Sequence, residues 1–182
     1  MKKYKTFETE RLFLKPTSVE DAEFIFELLN SPNWIKNIGD RNINSINDAK
    51  KYIQTKMLPQ LTKLGYSVYT LILKQDNMKI GTCGFYDREG IKGIDIGFAL
   101  LPEYEKKGYA FDSTRKLMNV ALKEFGIKEI SAITTEENIS SKKLLQKLGF
   151  EPNGIIKLPN DDEELLLYKL NGWEIELEII GG

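Results

Sequence analysis

One stretch, Ile94 to Phe125, restricts the fold more than any other part of the chain. An apolar, strand-like run from Ile94 to Leu101 leads through Pro102-Glu103-Tyr104-Glu105-Lys106-Lys107-Gly108-Tyr109-Ala110 into a helical pattern. The inward positions of that pattern are Ala110, Thr114, Leu117, Met118, Ala121, Leu122 and Phe125. A strand that turns sharply into a helix leaves several backbone N–H groups converging on one spot, with the positive end of the helix dipole behind them. Such a turn is suited to a pyrophosphate. Gly108 lets a ligand approach the backbone without a Cβ in the way, and Lys106 and Lys107 add two cations at the mouth. Read in isolation, the same residues also describe an ordinary strand-to-helix connection with a solvated lysine pair.

The remaining pattern predicts an α/β domain. Arg11 to Lys15 alternates as a strand and ends at Pro16. Ser18 with Asp21 three residues on reads as a cap for a helix through Leu29, stopped by Asn30-Ser31-Pro32. A second helix is expected from about Asn47 to Leu61. Two strands, Tyr66 to Leu73 and Lys79 to Tyr86, flank a hairpin turn at Gln75-Asp76-Asn77. After the glycine loop and its long helix, which Gly126 ends, come a strand from Glu129 to Thr135 and a helix from Ser140 to Leu148. Pro152-Asn153 reads as a turn. Strands from Gly154 to Leu158 and from Glu164 to Leu170 follow. The order is βααβββαβαββ, a mixed central sheet flanked by helices. One domain is expected over residues 1–182, with its core in 7–170. The tail alternates Ile175, Leu177 and Ile179 with Glu174, Glu176 and Glu178, which predicts a half-buried strand.

Composition mostly excludes. A net charge of −1 offers no electrostatic footprint for nucleic acid or an anionic membrane. No apolar run approaches spanning length, and the basic N-terminus lacks the apolar stretch of a signal peptide, so a cytoplasmic location is expected. The chain has no histidine, which removes the usual general base and the commonest metal ligand. Its single cysteine, Cys83, can form neither an internal disulfide nor a cysteine metal cluster. No metal site is expected, and Cys83 reads as a small core residue. A homodimer is left open.

About thirty residues after the loop comes Thr134-Thr135-Glu136-Glu137-Asn138-Ile139-Ser140-Ser141-Lys142-Lys143-Leu144-Leu145-Gln146-Lys147-Leu148-Gly149-Phe150. Together, loop and segment resemble the GNAT superfamily of N-acetyltransferases. Its acetyl-CoA loop reads Arg or Gln, two residues, Gly, one residue, then Gly or Ala. Its later signature is Asn, a short helix and Leu-Gly-Phe. The opening Thr9-Glu10-Arg11-Leu12-Phe13-Leu14-Lys15-Pro16, with Asp21-Ala22, is similar to the RimJ/RimL-like branch, which acetylates the N-termini of ribosomal proteins. The resemblance runs from about Phe7 to Leu170. The loop departs from the pattern at its first position, which is Glu105 here.

The resemblance implies a GNAT-like fold, acetyl-CoA as co-substrate and direct attack by an amine. It assigns the pyrophosphate to the backbone of Lys106, Lys107, Gly108, Tyr109, Ala110 and Phe111. It assigns the pantetheine arm to the main chain of Phe98, Ala99 and Leu100, pairing as an added strand. Asn138 reads locally as a helix cap, and the family also lets it contact the cofactor. Asp95 is the only ionisable residue from Gly93 to Leu101 and is the candidate base; the alternative is a solvated or lysine-paired carboxylate. The tyrosine that many members use against the leaving thiolate is Leu145 here. Ser141 is the candidate substitute, and a solvated first-turn serine is its alternative. The acceptor implied is a protein or peptide α-amine. A small amine (amino acid, polyamine or aminoglycoside) is the runner-up, and a non-catalytic acetyl-CoA sensor is a third reading. Trp34 and Tyr52 are candidate walls of the acceptor site.

Overall fold

The computed structural model describes residues 4–159 and 161–170. Eight strands form one sheet: β1 (Phe7–Glu8), β2 (Leu12–Pro16), β3 (Val68–Leu73), β4 (Lys79–Tyr86), β5 (Ile94–Leu100), β6 (Ile130–Thr134), β7 (Phe150–Ile156) and β8 (Leu165–Leu170). Their spatial order is β1-β2-β3-β4-β5-β6-β8-β7. Every pairing is antiparallel except β5 with β6.

Helices cover both faces. On one lie α5 (Tyr109–Phe125) and α6 (Ile139–Lys147). Leu117, Met118 and Ala121 of α5 join Leu14, Leu71, Ile80, Phe85 and Ile96 in the larger core. On the other lie α1 (Ala22–Leu29), α2 (Pro32–Asn37), α3 (Ile46–Tyr52) and α4 (Leu58–Leu64). Phe24, Ile25, Leu28, Ile53 and Met57 pack there against Val68 and Leu101. The buried residues of α5 follow the helical period expected of them, because one stripe faces the sheet.

Three local expectations are corrected. Pro32 stops α1 as anticipated but also begins α2, because a residue lacking an N–H suits a first helical turn and Ser31 caps it. The second expected helix is α3, a five-residue π-helical stretch (Ile53–Met57) and α4 in succession. Pro59 cannot donate a helical bond in the first turn of α4, and the widened turn directly precedes it. Pro152-Asn153 is not a turn between strands but lies within β7, where the register shifts between Pro152 and Ile155. As β7 ends the sheet, the N–H missing from Pro152 interrupts no interior ladder. The Ser18–Asp21 capping box forms as expected. The alternating tail, Glu174 to Ile179, lies outside the described residues.

Candidate active site

The strand β5 leaves its parallel neighbour almost at once. It pairs with β6 only at Ile94 with Ile130 and Asp95 with Ser131. Beyond Asp95 the two strands part, so the β6-facing edge of Phe98, Ala99 and Leu100 lacks strand partners among the described residues, while the opposite edge pairs with β4. An unpaired strand edge inside a sheet presents main-chain donors and acceptors to an extended ligand.

At the end of that edge the chain turns through Pro102–Tyr104 into α5. Gly108 caps α5 in a left-handed conformation, φ +86°, and no side chain caps the helix. The first helical bond runs from Asp112 N–H to the Gly108 carbonyl, so the N–H groups of Tyr109, Ala110 and Phe111 precede the helical ladder and need an acceptor. Lys106 also has a positive φ, +60°, which is uncommon outside glycine. Lys106, Lys107 and Gly108 are exposed; Tyr109, Ala110 and Phe111 are half-buried. Lys147 of α6 lies over the Phe111 ring, 4.4 Å from its centroid, joining the two helices beside the loop. Glu105, the departure from the family pattern, turns away from the loop's lysines and accepts a 2.8 Å hydrogen bond from Asn33 in α2. A carboxylate there is thus tied to the neighbouring helix rather than facing an anion.

Asp95 stands where β5 and β6 separate, 2% exposed. Arg88 Nε donates to its Oδ2 at 2.6 Å, and Oδ1 has no hydrogen-bond partner among the described residues. Burial raises the Asp95 carboxyl above its ordinary value; Arg88, and then the nearby Ile133 amide, oppose the rise. Arg88 also lies over the Tyr86 ring, 4.8 Å from its centroid. That ring rests on β5 at Gly97, where a Cβ would meet Tyr86 Cε2 at 3.0 Å. Alternation along β5 sends Asp95, Gly97 and Ala99 to the side of α1–α4, and Ile94, Ile96 and Leu100 into the other core.

The second candidate group sits at the start of α6. Asn138 caps it, its Oδ1 accepting from the Ser141 N–H at 3.1 Å, which leaves its amide nitrogen as a donor. Ser141 is buried beside it, at 9% exposure. Leu145, at the position where the family resemblance implies a tyrosine, is 1% exposed within the larger core. Trp34 is a core residue, not a wall, packed among Phe24, Leu28 and Met57. Tyr52 is half-buried and contributes to the electrostatic surroundings of Arg88. The sequence reading overlooked Arg88 and Tyr86. The hairpin register was the available signal, since pairing Tyr86 with Asp95 carries the residues just after β4 back over the start of β5.

A helix start with no side-chain cap, the left-handed Gly108 and an open strand edge meet at one loop, an arrangement that suits a pyrophosphate-linked, strand-like cofactor arm such as that of CoA. The acetyltransferase (GNAT) domain model matches residues 11–151. The chain belongs to this family of acetyl-CoA-dependent N-acetyltransferases. It is 30% identical to the uncharacterized N-acetyltransferase YoaA of Bacillus subtilis (strain 168) over 152 residues, covering 82% of this chain and 85% of the relative. The fold is shared with RimL, a ribosomal L7/L12 alpha-N-protein acetyltransferase in complex with coenzyme A, at TM-score 0.72 and 18% identity, covering 91% of this chain and 97% of RimL. It is shared too with the microcin C7 self-immunity acetyltransferase MccE in complex with acetyl-CoA and AMP, at TM-score 0.74 and 20% identity, covering 88% and 92%. Among the described residues no helix is long and apolar enough to cross a membrane, and no group of side chains could hold a metal ion.

Proposed function

We propose that the acceptor is the α-amine of a protein or peptide N-terminus and that Asp95 takes up its proton. The observation that carries this reading is the unpartnered Oδ1 of Asp95, a buried acceptor at the point where β5 leaves β6. A buried carboxylate oxygen calls for a donor, and an amine N–H or a bridging water supplies one. Acetyl-CoA brings the activated thioester, whose carbonyl carbon the amine attacks with departure of the thiolate. Phe98, Ala99 and Leu100 align the pantetheine arm through their main chain, and the N–H groups from Lys106 to Phe111 hold the pyrophosphate. Asn138 donates to the cofactor from its amide nitrogen, and Ser141 donates to the departing sulfur. An α-amine has a pKa of about 7.7–8.0, so a modest base suffices near neutrality.

A polypeptide acceptor is supported by the surface on the Asp95 side of the sheet. There Ile35, Ile38 and Ile46 are 43%, 38% and 49% exposed, giving apolar area for a chain to lie against. RimL, an α-N-protein acetyltransferase by name, shares the fold. The test is steady-state CoA release with mass spectrometry of the products, using peptides with free or blocked N-termini, polyamines and aminoglycosides. Acetylation at peptide α-amines with the highest kcat/KM is expected. Preference for a polyamine, amino acid or aminoglycoside would replace the peptide reading with a small-amine one.

A further inference from the structure

We propose that Arg11 is a positioning residue for acetyl-CoA, holding the pyrophosphate loop in its binding shape from outside. This rests on the loop being the pyrophosphate site. The turn between β1 and β2 aims the side chain. Thr9 N–H donates to the Leu12 carbonyl at 2.9 Å, and Thr9 Oγ1 accepts from the N–H groups of Arg11 and Leu12 at 3.2 and 3.0 Å. Leu12, wholly buried, anchors the turn to the core.

From there one guanidinium reaches three residues of the loop and the first turn of α5. Its Nε and Nη2 donate to Asp112 Oδ2 at 2.9 and 2.7 Å, and its Nη1 donates to the Lys107 carbonyl at 2.9 Å. Its plane lies over the Tyr109 ring, 4.5 Å from the centroid. A Cβ on Gly108 would stand 2.9 Å from Nη2, so the glycine leaves room for the guanidinium.

Two consequences bear on the anion. A trans peptide points its C=O and N–H in opposite directions. Anchoring the Lys107 carbonyl on Arg11 therefore turns the Gly108 N–H away from Arg11, while the flanking residues at 106 and 108 keep their left-handed conformations. The second concerns charge. Asp112 suits the helix dipole but would repel a pyrophosphate at the same helix start; Arg11 neutralises that carboxylate and holds it aside. Lysine cannot reproduce the fork, since it offers a point charge instead of planar, divergent donors.

The test compares acetyl-CoA with acetyl-pantetheine, which has the thioester and strand-like arm but no pyrophosphate. For Arg11→Gln, KM for acetyl-CoA should rise about 10- to 100-fold with kcat within about threefold, and KM for acetyl-pantetheine should stay put. Arg11→Lys should recover only part of the loss. Adding Asp112→Asn to Arg11→Gln should also recover part, because the unneutralised carboxylate is gone. An equal KM rise for both thioesters would make Arg11 a general fold residue and overturn the proposal, as would an unchanged KM for acetyl-CoA. Should Arg11→Gln not fold, the Arg11→Lys comparison alone decides between the same outcomes. A wild-type protein that uses both thioesters equally well would instead refute the loop as the pyrophosphate site.

Discussion

Arg88→Gln tests the proposed base through its partner. Burial pushes the Asp95 carboxyl up, and the cation of Arg88 is the leading influence holding it down. Without that cation the carboxyl must climb further. Two unit charges about 4 Å apart interact by about 1 kcal/mol in bulk water and about 4 kcal/mol at an effective dielectric of about 20. The Arg88 side chain keeps 35% of its surface in solvent, so the interaction falls between these values. With about 1.4 kcal/mol per pH unit, the acid limb of kcat/KM should move upward by about one pH unit, and by no more than about three. The assay is a pH–rate profile of wild type and Arg88→Gln with one peptide acceptor, whose own titration then cancels. The variant should be slow at acid pH and approach the wild type on the alkaline side. A limb that stays in place, or a uniform loss at every pH, would refute Asp95 as the proton acceptor. Stability supplies a second check. A carboxyl with a raised folded pKa favours folding fully below its unfolded value, here 3.8, and loses that contribution as pH rises through the folded value. Asp95→Asn should therefore compare best with wild type in denaturant unfolding at neutral pH, and worst in acid.

Cys83 is wholly buried and its thiol is pushed up to about 11 by desolvation, so an aromatic disulfide reagent should label it only after denaturation. Rapid labelling of the native protein would contradict that burial. Asp161, Asp162, Glu163 and Glu164 are exposed, and the nearby Pro159 would stand 3.3 Å from a Cβ at Gly90, in the loop that carries Arg88. If this acidic run rims the acceptor cleft, KM for a basic peptide should rise with ionic strength over a Debye length of about 10 Å at 0.1 M, and Asp161→Asn with Asp162→Asn should flatten the dependence. A salt-independent KM would reduce the run to a solvated turn.

The sheet, the helix after the glycine loop and the cap of α6 were legible because each is written in short-range chemistry. The burial stripe of α5, the Ser18–Asp21 box and the cap at Asn138 depend on residues within a few positions of one another. Pro152 misled because a proline in a strand signals a break unless the strand is known to be the sheet's edge, which is a property of the whole topology. Glu105 could be read as a conflict with an anion but not as a partner of Asn33, which lies 72 residues away in sequence. Arg88 and Arg11 were visible as cations only. The hairpin register that sets Arg88 on Asp95 could have been worked out from the β4–β5 pairing, but the packing of β2 beside α5 that sets Arg11 on the loop is encoded by no local pattern.

If acetyl-CoA fills the gap between β5 and β6 as proposed, its binding is linked to folding. Among the described residues the β6-facing edge of Phe98 to Leu100 has no strand neighbour, and on the proposed reading the ligand that completes the sheet there binds the folded chain alone. Such a ligand at about one hundred times its dissociation constant adds about 2.7 kcal/mol to the free energy of unfolding, a large fraction of the 5–15 kcal/mol typical of a whole protein. Resistance to heat and proteases would then follow the concentrations of acetyl-CoA and of CoA, which carries the same pyrophosphate and arm. In a cell, the amount of this enzyme would then follow the CoA pool as well as the rate of its synthesis.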